Sequence, residues 1–297
     1  MMTKPGLAAA AAAWCLWAAA AYALEPAEPP LTAPKTLAGR QGDVVPLIVT
    51  VPARGATPVG QSTTLVGRMG ERAIPFFPLD PPGRFGALVG LDLDEPVGTQ
   101  TMTLWVDGEP AAELSVTVER QHFPVQTLTL PDEMVQLDEA TLVRVNQEQK
   151  DALAVMAAHT PERWWAGEFV LPADGELRDS FGRRRIINGE PRSPHTGEDI
   201  SAPEGAEVVA SNSGVVRLVA DHFFSGKSVF LDHGGGLYTM YFHLASVAVA
   251  PSQRVEKGQI IGAVGATGRA TGPHLHWGAR LNGARINPLQ LLRPAFP

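Results

Sequence analysis

Hydrophobic and polar positions alternate in short runs along most of this chain, and helical spacing is confined to one stretch. Residues 44–51, 101–106 and 112–118 read as half-buried strands, separated by turn signals such as Pro81-Pro82-Gly83 and Asp107-Gly108. Such runs recur about seven times between residues 36 and 118, which predicts a small immunoglobulin-like β-sandwich. Between 132 and 159, Leu, Val, Ala and Met mix with Glu, Gln and Lys, without Gly or Pro. That stretch predicts one helix beginning near Asp138. After Trp164-Trp165-Ala166-Gly167 the alternation resumes in 207–210, 215–219, 228–232, 237–243 and 260–264. The chain is therefore expected to be mainly β: a sandwich domain over 36–122, a short helical connector over 123–167 and a second β domain over 168–297.

The N-terminus departs from this pattern. Lys4, an apolar run from 7 to 21 and then Ala21-Tyr22-Ala23 have the form of a secretory signal peptide over residues 1–23. The run falls short of the roughly 20 apolar residues that a span requires, so no stable membrane span is expected after cleavage. Residues 24–35, rich in Pro, Ala and Glu, read as a flexible lead-in. The single cysteine, Cys15, sits inside the apolar run, so the exported chain would carry no thiol. Disulfides and thiolate ligands then drop out, and any metal site must be built from His, Asp and Glu.

Charge is divided unevenly. Residues 24–165 carry 10 basic and 19 acidic side chains, whereas 166–297 carry 13 and 12. Neither part has the basic stripe that releases phosphate counterions, so nucleic acid is not an expected partner.

Histidine is concentrated in the second domain: His195, His222, His233, His243, His274 and His276, six of the eight in the chain. In Pro273-His274-Leu275-His276-Trp277 an extended strand would point both histidines to one face, about 6.6 Å apart. In Pro194-His195-Thr196-Gly197-Glu198-Asp199 a histidine and a carboxylate stand four apart across a glycine. If the segment after Gly197 is extended, Glu198 and Asp199 face opposite ways and only one of them can join His195. In Tyr241-Phe242-His243-Leu244, regular alternation would place Tyr241 and His243 on one face and Phe242 on the other. His233, before a run of three glycines, reads as structural. The two Trp read as packing or as part of a groove. Arg183, Arg184 and Arg185 read as a solvated loop or as contacts to substrate carboxylates.

Taken in order, Phe181-Gly182-Arg183-Arg184, His195-x-Gly197-x-Asp199, Gly214-Val215-Val216, Tyr241-x-His243-Leu244, Lys257-Gly258-Gln259, Gly265-x-Thr267-Gly268 and Gly272-Pro273-His274-x-His276 resemble the M23 metallopeptidases of the lysostaphin and LytM type. The resemblance covers roughly residues 168–297. It implies a LytM-type antiparallel β-sheet catalytic domain and one Zn²⁺ per chain held by His195, Asp199 and His276, with His243 and His274 catalytic. It also implies a secreted endopeptidase, most naturally periplasmic, acting on the peptide cross-links or stem peptides of peptidoglycan. Regulation of the site by the N-terminal domain is a further expectation. A second reading makes the chain a latent or non-catalytic peptidoglycan-binding activator of other wall hydrolases. A third, metal-dependent phosphoester hydrolysis, fits less well, because such sites more often use two metals and more carboxylates.

Overall fold

The computed structural model describes residues 31–52, 63–129, 136–158 and 160–293. The expected signal peptide, including Cys15, lies outside the described residues. The front unit holds eight strands: β1 Thr36–Arg40, β2 Val44–Thr50, β3 Leu65–Met69, β4 Arg72–Pro75, β5 Phe77–Leu79, β6 Arg84–Gly90, β7 Gly98–Val106 and β8 Glu109–Glu119. They form two sheets, ordered β1-β8-β7-β3-β4 and β2-β6-β5. Inward residues of both sheets, among them Leu47, Val49, Ala87, Val89, Met102, Leu104 and Val116, meet in one apolar core. Between β7 and β8, Asp107 and Gly108 both take positive φ (52° and 87°), which matches the twist of a tight two-residue hairpin.

Two expectations need correction here. The last residues of the lead-in join the fold: Leu31 is buried in the front core and Thr32 exchanges backbone hydrogen bonds with Thr50. Leucine has apolar surface to bury, which the surrounding Pro, Ala and Glu conceal in a composition reading. The connector also begins with a strand, β9 Val125–Leu128, ahead of the helix α1 Glu139–Ala157. Asp138 caps that helix, its carboxylate accepting from Thr141 N at 2.7 Å.

The remaining strands are β10 Glu176–Leu177, β11 Arg184–Ile187, β12 Glu190–Arg192, β13 Gly197–Ser201, β14 Glu207–Val209, β15 Gly214–His222, β16 Gly226–Gly234, β17 Leu237–Val247, β18 Arg254–Val255, β19 Ile260–Val264, β20 Leu275–Leu281 and β21 Ala284–Ile286. Most belong to one sheet with the spine β10-β13-β20-β17-β16-β15-β18, and β14, β19 and β21 attach beside it. One face of the spine buries Ile200, Val229, Leu231, Tyr241, Leu275 and Trp277 in a core closed by β14 and β19. Among the described residues, no helix is long and apolar enough to cross a membrane.

The two units are fused by a third apolar cluster. Phe77 and Leu88 of the front unit pack with Trp165, Phe169, Leu237, Leu281, Ile286 and Leu291. This fixes Trp165 as a packing residue. At the rim, Asp92 accepts from Arg285 N at 2.7 Å and Nε at 3.0 Å, and Asp94 accepts from Arg285 Nη2 at 2.9 Å. Burial pushes the Asp92 carboxyl up, but the bonds from Arg285 outweigh it and hold the group below its ordinary range. The strand β9 completes the junction, pairing in parallel with β11, whose other neighbour is β12.

Asp92→Ala should destabilise the whole chain by about 2 kcal/mol, because it leaves the Arg285 guanidinium with Asp94 as its one carboxylate partner and a backbone N–H without an acceptor in a partly buried rim. Urea unfolding of parent and variant checks this; superimposable curves would show that the rim contributes nothing.

Candidate metal centre

Strand register does the first part of the assembly. On neighbouring strands β13, β20 and β17, Asp199 stands opposite His276 and His276 opposite Phe242. The three side chains therefore form a row on the face of the sheet opposite the core that holds Leu275, Trp277 and Tyr241. Phe242 stacks on the His276 ring, with centroids 5.3 Å apart and planes 5° from parallel. Gly197 is required beside them: a Cβ there would lie 2.6 Å from His276 Nε2 and 2.5 Å from the Trp277 carbonyl oxygen.

His195 reaches this row from the turn before β13. Its N–H donates to the Arg183 carbonyl at 3.0 Å and its own carbonyl accepts from Gly182 N at 2.8 Å. The turn is held by Glu198, which faces the opposite way from Asp199, as extended geometry demands. Glu198 is fully buried and accepts from the backbone N–H groups of Ser180 (2.9 Å) and Phe181 (3.3 Å), while Ser180 Oγ accepts from Asp199 N at 2.8 Å. The carboxylate that does not enter the site thus fixes the loop against which the site is built.

The result is a tight triangle of acceptor atoms. His276 Nδ1 lies 3.0 Å from His195 Nε2 and 3.0 Å from Asp199 Oδ1, and His195 Nε2 lies 3.1 Å from Asp199 Oδ1. Two imidazole nitrogens and a carboxylate oxygen this close repel one another unless protons or a cation lie among them. Ligand atoms about 2.0–2.1 Å from a tetrahedral zinc stand about 3.3 Å apart, so both the donor set and the spacing suit such an ion. Among the described residues, these three make up the group able to hold a metal. Burial raises the Asp199 carboxyl, but hydrogen bonds from His195 and His276 prevail and keep it ionised far below the usual carboxylate range. Burial pushes His276 down to about 4, so its ring is neutral near pH 7, and Nδ1 can offer a lone pair to a cation when the ring proton sits on Nε2 instead of bridging to Asp199.

His274 and His243 stand beside the triangle. His274 lies on the His276 side of the strand, as alternation predicts, with Nε2 3.8 Å from Asp199 Oδ1. His243 is 4.7 Å from His274 and 6.2 Å from His276, ring centre to ring centre. Each donates Nδ1–H to a carbonyl, His243 to Thr267 at 2.9 Å and His274 to Gly272 at 2.8 Å, which leaves Nε2 as the working nitrogen. Burial pushes His243 down to about 4 despite the bond to Thr267.

The expected partition of Tyr241, Phe242 and His243 is corrected. Tyr241 faces the core, bonded through its hydroxyl to Ser211, while Phe242 and His243 both serve the site. The cause is backbone: His243 has φ of +64° at an irregularity where β17 pairs with β16, between Tyr241 and Leu244, which turns its side chain out of the alternation. His222 packs edge-on against Phe230 and is not part of the group able to hold a metal. His233, fully buried, donates Nδ1–H to the Ser213 carbonyl at 2.8 Å and pairs through Nε2 with Thr239 Oγ1 at 2.7 Å. That is the structural role expected of it.

Comparison with known proteins places this geometry. Residues 193–288 match the model for Peptidase family M23. The chain is 43% identical over 100 residues to the DD-carboxypeptidase/endopeptidase Mpg of Neisseria meningitidis, and 38% identical over 122 residues to the peptidoglycan DD-endopeptidase ShyA of Vibrio cholerae. These alignments take in 34% and 40% of this chain but only 23% and 28% of the two relatives. A crystal structure from Pseudomonas aeruginosa, assigned to peptidase M23, is 29% identical with a TM-score of 0.65, covering 86% of this chain and 95% of its own. That likeness takes in the front unit as well as the second one.

His233 should make the fold acid-sensitive. Burial lowers its pKa from 6.5 to about 4, against the bond to Ser213 and the nearby Asp232. The unfolded chain therefore takes up a proton that the folded chain refuses, and stability present above pH 6.5 is lost as pH falls toward 4, by about 3 kcal/mol. His233→Gln should be less stable at pH 7 and lose less over that window. An equal loss in both proteins, measured by urea unfolding at each pH, would assign the acid sensitivity elsewhere.

Proposed function

We propose that this chain, which carries an M23 peptidase domain over residues 193–288, is a zinc-dependent endopeptidase that hydrolyses peptide bonds of bacterial peptidoglycan outside the cytoplasm. The observation that carries the reading is the triangle of His195 Nε2, Asp199 Oδ1 and His276 Nδ1, with sides of 3.0 to 3.1 Å. The substrate class follows from what similar proteins act on: the Neisseria and Vibrio relatives are DD-peptidases, and the latter is a peptidoglycan enzyme. A peptidoglycan substrate in turn agrees with the signal peptide that the sequence suggests.

His195, Asp199 and His276 would hold the ion, two neutral imidazoles and one carboxylate leaving it a net charge of +1. A bound Zn²⁺ would supply Lewis acidity, polarising a peptide carbonyl and lowering the pKa of a water. Asp199 and His274 keep part of their surface open to solvent (16% and 13%), so a substrate can reach the centre. His243 and His274 each have Nδ1 anchored on a carbonyl and Nε2 free, the arrangement needed to accept a proton or to donate a hydrogen bond to developing negative charge. Because burial holds His243 neutral near pH 7, it is suited to the accepting role, while His274, close to Asp199, is suited to steadying charge.

The front unit, on this reading, positions the centre: β9 and the Asp94 ion pair with Arg184 hold β11, which leads through the turn into His195.

The purified chain is expected to hold about one zinc and to release soluble peptides from peptidoglycan. His276→Ala should lose both metal and release. His243→Ala should keep the metal and lose release by about 100-fold or more, as expected when a general acid or base is removed. Metal analysis with mass spectrometry of released peptides checks all three, and a parent that binds zinc yet releases nothing would favour the non-catalytic activator.

A further inference from the structure

Three arginines near the metal centre lack the partners that their neighbours have. Arg184 pairs with Asp94, Arg217 with Asp232 and Arg285 with Asp92. Arg185, Arg192 and Arg269 form no ion pair with a carboxylate among the described residues, and Arg185 Nε is buried without a hydrogen-bond acceptor. Arg185 and Arg192 stand directly opposite each other on β11 and β12, a like-charge cross-strand pair that works against the hairpin. Arg269 comes from the segment between β19 and β20, where its guanidinium lies 4.1 Å over the Phe224 ring. Its segment supplies the Thr267 and Gly272 carbonyls that hold His243 and His274, and the Arg183 carbonyl, two residues before Arg185, holds His195 N. At that range Arg269 is repelled by Arg185 and Arg192, and Arg185 is attracted by Asp199. Three segments thus bring positive charge beside the triangle, where the nearest carboxylate, Asp199, attracts Arg185 but is paired with His195 and His276.

We infer that Arg185, Arg192 and Arg269 form a carboxylate-binding subsite beside the His195–Asp199–His276 cluster, which takes a free carboxylate of the peptide to be cleaved. The inference rests on the peptidase reading above for the identity of the ligand. Planar guanidinium forks match a carboxylate through two parallel hydrogen bonds, a geometry that lysine would not supply. The hairpin is held from its other side, by Arg184 on Asp94 and by β9 along β11. Arg185 alternates with Arg184 along the strand, so it faces away from those anchors.

The test uses the full chain with its metal and peptidoglycan stem peptides in two forms, carboxylates free or converted to carboxamides. Calorimetric binding should favour the free form by about 10-fold or more in Kd, weakening as salt is raised. Arg185→Gln and Arg192→Gln should each reduce that preference to about 3-fold or less without lowering the unfolding temperature, because each substitution also relieves repulsion. Arg254→Gln, whose side chain stacks on Trp164, should keep the preference. No preference in the parent, or one that survives both substitutions, would overturn the subsite. Cross-linked substrate in the same two forms separates the two ideas: preference without any cleavage sinks the peptidase reading alone, and cleavage without preference sinks the subsite alone.

Discussion

The register of three neighbouring strands is the constraint on which the centre depends. Once β13 pairs with β20 so that Asp199 faces His276, and β20 with β17 so that His276 faces Phe242, two donor atoms and a stacking ring lie in line across the sheet. A slip of one residue in either pairing would turn Leu275 or Trp277 outward and His276 into the core. The apolar residues on the buried face forbid that slip, since Ile200, Leu275, Trp277 and Tyr241 are all fully buried there. The cost of desolvating two histidines and an aspartate is thus carried by hydrophobic burial on the opposite side of the same strands. Stability and chemistry are specified by alternate residues of one segment.

Much of this was legible in the sequence because it is periodic. Two-residue alternation placed His274 with His276 and set Glu198 against Asp199, without deciding which of the two carboxylates joins His195. The ordered motifs added the sorting of ligands from catalysts that spacing could not supply. What escaped has an identifiable physical origin. His243 reaches the site through a positive φ at a ladder irregularity, a conformation that a histidine in an otherwise regular run does not announce. The strand β9 is four residues long and pairs with a strand almost sixty residues away, too short and too distant for a local pattern. The junction between the units depends on Asp92 and Arg285, 193 positions apart, each of which reads locally as an ordinary surface charge.

Glu198 illustrates how a residue type can mislead. Its carboxylate is next to Asp199 in sequence and chemically equivalent to it, yet it is fully buried and spent on two backbone N–H groups. Those bonds hold the 180–182 turn, the turn holds His195 through paired backbone bonds, and Ser180 closes the circuit by accepting from Asp199 N. Pre-organisation of this kind matters because three acceptor atoms about 3 Å apart oppose one another unless protons or a cation lie among them. The backbone and Glu198 keep the donors together, so little reordering would be needed for an ion to enter.

Charge around the centre follows the same logic of opposed tendencies. The front half is acidic and the second half nearly neutral, yet acidic side chains of the front unit reach across to neutralise Arg184 and Arg285 and leave Arg185, Arg192 and Arg269 unmatched. The same hairpin therefore has one arginine used for attachment and two that form no ion pair with a carboxylate among the described residues. Asp199 alone cannot offset them, because its charge is already committed to His195 and His276. A divalent cation there would make the local charge still more positive, and an anion carried by a substrate would lower it. The fold tolerates the repulsion because β9, Asp94 and the apolar junction hold the hairpin from behind. In that sense the front unit stabilises a second unit whose working surface, taken by itself, is electrostatically strained.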